Sequence, residues 1–145
     1  MQTILSICSD ERLRYTREAL LRKIGAEVSS CNLETGLQLA RQQRFDLLIV
    51  DYSIPMQESI QICEIFRFRW PGSRILQLSS SIHNNKFRTH CDRELDSTEG
   101  PDAFLAATRE LLRHVEQHKI HVQKFDVGQT ATIGAETSTS EPNEN

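Results

Sequence analysis

Phe45-Asp46-Leu47-Leu48-Ile49-Val50-Asp51-Tyr52-Ser53-Ile54-Pro55 is the stretch whose reading decides the fold. Leu47 to Val50 is an unbroken apolar run of strand length, the pattern of a strand buried on both faces. Asp51 closes it with a carboxylate where the chain leaves the core. Pro55 is expected to hold the next few residues out of a helix, with the helix beginning near Glu58, so Asp51 is placed at an open strand end. In open α/β sheets that edge is where ligands bind. An isolated Asp at a strand end is simply solvated, so the surroundings decide its meaning.

Upstream, Ile4-Leu-Ser-Ile7-Cys8 reads as a short buried strand, followed by the capping candidates Ser9 and Asp10. Leu13, Arg17, Leu20, Leu21 and Ile24 recur at helical spacing, with the Arg17 stem lying along the apolar face. Gly25 stops that helix. Ala26 to Cys31 alternates weakly around Val28, as an edge strand does. Asn32 caps a second helix with Leu33, Leu37 and Ala40 inward. Downstream, Ile62, Ile65 and Phe66 mark a third helix, ended by Trp70-Pro71-Gly72. Ile75-Leu-Gln-Leu78 is a fourth strand, left through Ser79-Ser80-Ser81. The stretch 82–98 is polar, with a helix near His83 to Cys91 and a poor strand around Arg93 to Leu95. From Gly100-Pro101 the last helix is clear, with Phe104, Leu105, Thr108, Leu111, Leu112 and Val115 in one stripe. Strands alternating with helices five times predict a doubly wound α/β fold, a parallel sheet with helices on both faces.

The chain has 145 residues, of which 38% are apolar, enough for one modest core. Its 17 basic and 20 acidic residues leave −3 overall. That −3 lies in residues 120–145, where Lys124 faces Asp126, Glu136, Glu141 and Glu144. Residues 1–119 balance at 16 basic and 16 acidic, unlike a nucleic-acid binder, whose affinity rests on phosphate neutralisation. No apolar stretch reaches membrane-spanning length and the N-terminus lacks signal-peptide regions, so a cytoplasmic location and no membrane partner are expected. Cys8, Cys31, Cys63 and Cys91 are widely spaced, which predicts reduced, mostly buried thiols. The domain is placed at residues 1–119. Residues 120–145 are polar, and from about residue 124 they are read as disordered for want of apolar surface.

Taken together, residues 2 to 118 resemble the receiver domain of two-component response regulators. Leu20-Leu-x-x-Ile-Gly25-Ala-Glu-Val28 is similar to that family's junction between first helix and second strand. Phe45 to Asp51, with Pro55 four residues on, is similar to its phosphoacceptor strand and loop. Leu105-Ala-Ala-Thr-Arg-Glu-Leu-Leu-Arg113 is similar to its last helix. The resemblance implies a five-stranded flavodoxin-like sheet ordered 2-1-3-4-5. It also implies Asp51 as phosphoacceptor, Ser79 as the phosphate-sensing hydroxyl, and Mg²⁺ held by Asp51, the Ser53 carbonyl and, weakly, Asp10.

The sequence departs from the family at four positions. An ungapped register anchored on Gly25 puts Cys8 and Ser9 where the acidic pair belongs, with Asp10 one place late. No Lys lies between Lys86 and Lys119, so Ser97 falls nearest the phosphate-reading Lys. No aromatic lies between Phe87 and Phe104, so Glu94 falls near the switch aromatic. Mg²⁺ is therefore expected to bind poorly, with no other cofactor.

Three functions follow from this pattern. The first is a stand-alone response regulator in phosphorelay signalling, an atypical receiver switched at Asp51 and partnered by a histidine kinase or phosphotransfer protein. The roughly 26 residues after the last helix are too few for a DNA-binding output domain, so output passes to a separate protein. The second is a pseudo-receiver, a phosphorylation-independent interaction module with a non-phosphorylating signalling partner. Neither is an enzyme. The third, a small enzyme or flavin binder on the same sheet, is opposed by the acidic loop Ser9-Asp10-Glu11, where a phosphate cradle wants bare amides. His114, His118 and His121 have a metal-like spacing but no fixed partner, and Phe66-Arg67-Phe68-Arg69-Trp70 reads as the end of a packed helix.

Overall fold

The computed structural model describes residues 1–80 and 91–115. Five parallel strands, β1 (Thr3–Ile7), β2 (Glu27–Cys31), β3 (Leu47–Val50), β4 (Arg74–Ser79) and β5 (Arg93–Asp96), form one sheet. Its order is β2-β1-β3-β4-β5, as expected. The helices are α1 (Glu11–Arg22), α2 (Leu33–Gln42), α3 (Met56–Arg69) and α4, residues 101–115. The expected helix near His83 and the polar tail lie outside the described residues.

Strand alternation sorts the apolar side chains into two cores, one on each face. Ile4, Leu47, Ile49, Leu76, Leu78 and Leu95 pack under α1 and α4, against Leu21, Phe104 and Leu111. Leu5, Ile7, Leu48, Val50 and Ile75 pack under α2 and α3, against Ala40, Ile62, Cys63 and Phe66. β2 is the edge strand that its weak alternation predicted. At Gly36 a Cβ would fall 2.8 Å from Ile7 Cγ1, so this residue lets α2 lie close on β1.

Local signals place most helix ends. Asp10 caps α1 by accepting from the Arg12 and Leu13 amides, and Asn32 caps α2 by accepting from Thr35. One expectation is corrected: α3 begins at Met56, directly after Pro55, and not near Glu58. Proline restricts the residue before it, and its missing N–H costs nothing at a helix start. Pro55 therefore opens α3, with φ −59° and ψ 152° at the cap position.

All four cysteines are free thiols. Burial pushes the Cys63 thiol up from 9.0 to about 12 and Cys31 to about 11. The folded state keeps the Cys63 proton where the unfolded chain releases it. That contribution is complete below about pH 9 and is lost as pH rises towards about 12. Cys63→Ala should therefore show a flatter fall of stability across this window, measured by urea unfolding at stepped pH. Parallel curves for the two proteins would contradict it.

Candidate functional site at the end of β3

The first three strands bring two loops together at their C-terminal edge. Ile7 pairs with Val50 in the β1–β3 register, so Cys8 and Asp51 emerge side by side. The Cys8 amide donates to the Cys31 carbonyl at 3.1 Å, and the Asp51 amide to the Ile7 carbonyl at 3.0 Å. Both residues are thus held by the sheet itself. Asp51 is not at an open end, however: it is 1% exposed.

What covers Asp51 is Arg17. From the middle of α1 its guanidinium makes a buried salt bridge to Asp51 Oδ1. The same group lies 5.8 Å from the Tyr52 ring centroid and 3.9 Å from Cys8 Sγ. Burial lowers the guanidinium below its ordinary value, while Cys8 and Tyr52 act in the opposite direction. A buried charge of this kind is tolerated because it is paired. Asp51 Oδ2 accepts from the Ser53 amide at 2.9 Å and lies 3.4 Å from Cys8 Sγ.

The neighbouring groups are engaged with one another. Ser9 Oγ donates to the Ser53 carbonyl at 3.2 Å, and the Ser9 amide donates to Ser53 Oγ at 3.1 Å. Arg14 donates to the Cys8 carbonyl at 3.1 Å. Asp10, capping α1, turns Oδ1 to the Arg12 amide at 2.9 Å. The loop after β1 is therefore tied to the loop after β3 by side-chain and backbone bonds alone.

Ser79, Glu94 and Ser97 are carried by β4, β5 and the turn that follows it. Ser79 Oγ donates to the Leu95 carbonyl at 3.4 Å, towards β5. Glu94 sits on β5 opposite Gln77. Ser97 opens a short 3₁₀ turn, Ser97–Glu99, capped by Asp96. It lines an apolar groove of about 170 Å³ with Leu13, Leu20, Leu95 and Phe104, and Arg17 lies along the groove wall. His114 is on α4, whereas His118 and His121 lie outside the described residues. Phe66 is buried while Phe68 is 86% exposed, and Arg67 pairs with Asp92 at 2.7 Å.

Arg17 is the site residue that sequence reasoning missed. Its signal was present, since a cation inside an apolar stripe either carries its head out to water or meets a partner. What periodicity cannot show is which strand end lies opposite.

These residues do not fit Mg²⁺, which dehydrates reluctantly and asks for near-octahedral oxygens. The Ser53 carbonyl and one Asp51 oxygen already have partners, Asp10 is turned to its helix, and Cys8 offers soft sulfur. Among the described residues, no three His, Cys, Asp or Glu side chains are grouped to hold a metal ion.

In sequence, no family model matches the chain, and no curated protein does. In structure, the fold is that of CheY-like receiver domains. A response regulator receiver domain protein from Methanospirillum hungatei JF-1 matches with TM-score 0.68 at 18% identity, over 81% of this chain and 98% of that one. The receiver domain of a Pseudomonas aeruginosa PAO1 sensor histidine kinase, with magnesium coordinated in its active-site cleft, matches with TM-score 0.66 at 17% identity, over 77% and 97%. A complex of histidine kinase ThkA with response regulator TrrA of Thermotoga maritima matches with TM-score 0.64 at 19% identity, over 77% and 99%. No helix among the described residues is long and apolar enough to cross a membrane.

Proposed function

We propose that this protein is a pseudo-receiver: a signalling module in residues 1–119 that acts by binding a protein partner, independently of phosphorylation at Asp51. The observation that carries this reading is the buried Arg17–Asp51 salt bridge. Phosphoryl transfer to Asp51 requires a carboxylate oxygen to form a bond to phosphorus while the bond from phosphorus to the donor breaks, to nitrogen in a phosphohistidine or to oxygen in an acyl phosphate. Here one oxygen faces a guanidinium and the other an amide and a thiol, with Asp51 closed to solvent. The product would also place a larger negative charge beside a single cation.

Structures of receiver domains with magnesium and with a histidine kinase support a signalling role for this fold. The sequence register anchored on Gly25 puts Cys8 and Ser9, and no carboxylate, where the receiver family carries its acidic pair. Output then falls to surface recognition, and the apolar groove between α1 and α4, whose wall includes Arg17, is suited to an apolar side chain of a protein partner.

The test is incubation of the full chain with Mg²⁺ and a small acyl phosphate, followed by intact-mass measurement. No base-labile phosphoryl adduct above the Asp51→Asn level is expected. A stoichiometric adduct on the wild type, absent from Asp51→Asn, would overturn the reading.

A further inference from the structure

We infer that the groove between the C-terminal ends of α2 and α3 is a docking site for an acidic segment of a partner protein, one apolar side chain of which covers Phe68. The inference rests on the proposed function only in taking output to be protein binding. It names the partner's chemistry and a surface on the other face of the sheet from α1 and Arg17.

Exposure is the first argument. α3 turns Ile62, Cys63 and Phe66 into the core, which leaves Ile65 and Phe68, three residues apart, on its outward stripe. Ile65 is half-buried and Phe68 exposed. A single exposed ring is ordinary, but this one shares an open groove of about 400 Å³ with Ile65 and with Arg41 of α2. Rigidity is the second. Trp70 donates its indole N–H to the Ala40 carbonyl at 2.8 Å, which ties the end of α3 to α2 beside Arg41. The Arg69 guanidinium lies 5.4 Å from the Trp70 ring centroid. The groove is thus built before anything binds, and association costs less ordering.

Charge selects the occupant. The groove sets two guanidinium groups, Arg41 and Arg69, against one carboxylate, Glu64. Of the neighbouring arginines, Arg44 pairs with Asp46 and Arg67 with Asp92. A second copy of this face would therefore bring like charge against like. Single-stranded nucleic acid stacks on successive rings along a basic track, whereas this groove offers one ring on a body of balanced charge. An acidic protein segment meets both features. Its carboxylates pair with Arg41 and Arg69, and its apolar side chain takes Ile65 and Phe68 out of water. Aromatic rings and arginines are also the side chains that protein interfaces favour.

Selection of a random-peptide library displayed on phage tests this, with the full chain as target and Arg41→Glu/Arg69→Glu for counter-selection. Recovered peptides should carry Asp or Glu on both sides of an apolar residue. Binding of a labelled recovered peptide, read by fluorescence polarisation, should weaken at least about tenfold in Phe68→Ala and should fall with added salt. Circular dichroism checks that each variant is folded. If the double variant does not fold, nitrogen-15 shift mapping of the peptide on the wild type decides: shifts gathered on α2 and α3 support the site, and shifts elsewhere overturn it. No enrichment, basic or uncharged peptides, or binding that survives Phe68→Ala would also overturn it. A dimer that Phe68→Ala dissolves, or Phe68-dependent binding of oligothymidine tighter than that of the peptides, would overturn the occupant. No docking together with no phosphoryl adduct on Asp51 would remove this site and keep the pseudo-receiver reading. An adduct alongside Phe68-dependent peptide binding would remove that reading and keep the site.

Discussion

Replacing Arg17 by Met is expected to lower folding stability by about 3–5 kcal/mol, the cost of leaving a buried charge without its partner. Methionine keeps the unbranched stem, so packing along α1 survives and the missing charge dominates the effect. Asp51 would then stand buried with only an amide and a thiol to face it. The revealing comparison is Arg17→Met/Asp51→Asn. Asparagine still accepts the Ser53 amide and carries no charge, so the double variant should recover most of the loss. Urea unfolding of the four proteins measures the coupling directly. An Arg17→Met cost below about 1 kcal/mol would place the pair with ordinary surface ion pairs. A double variant no more stable than the single one would show that lost packing, not lost charge, had been measured.

The same residue marks the limit of what could be read from the sequence. The parallel sheet was legible because Leu47 to Val50 and Ile75 to Leu78 are strand-length apolar runs separated by helical periodicities, while its order came only from the resemblance to receiver domains. The caps at Asp10 and Asn32 were legible too, since an acceptor side chain beside a helix start acts on amides two or three residues away. The start of α3 was misplaced because Pro55 was taken to restrict the residues after it, whereas its ring acts on the residue before. Within the site, the resemblance to receiver domains put Cys8 at the acidic-pair position, and the pairing of Ile7 with Val50 sets it beside Asp51. The guanidinium over Asp51 depends on an approach between α1 and the end of β3, residues 34 apart in sequence. The Ser9 hydroxyl on the Ser53 carbonyl depends on a similar approach, 44 residues apart. Periodicity gives the face a side chain takes, not the group it meets there.

Phe66 and Phe68 should differ sharply on truncation although only Arg67 separates them. Phe66 is 0% exposed and packs in the core under α2 and α3, with Phe45, Ile62 and Ile75 in the same cluster. Phe66→Ala removes that ring from between a helix and a sheet, leaving a cavity that rigid neighbours fill poorly. A loss of about 3–5 kcal/mol is expected. Trp70, anchored by its indole N–H on the Ala40 carbonyl at 2.8 Å, fixes the end of α3 and limits collapse into the space. Phe68 points the other way and is 86% exposed, so Phe68→Ala should change stability by no more than about 0.5 kcal/mol. The basic–aromatic run Phe66 to Trp70 thereby acquires two separable roles. Its inward ring fastens α3 to the sheet, while Arg67 reaches Asp92 at 2.7 Å beside the start of β5. Thermal unfolding of the two alanine variants is the direct comparison. Equal losses would mean that α3 is rotated relative to the sheet, with Phe68 sharing the core.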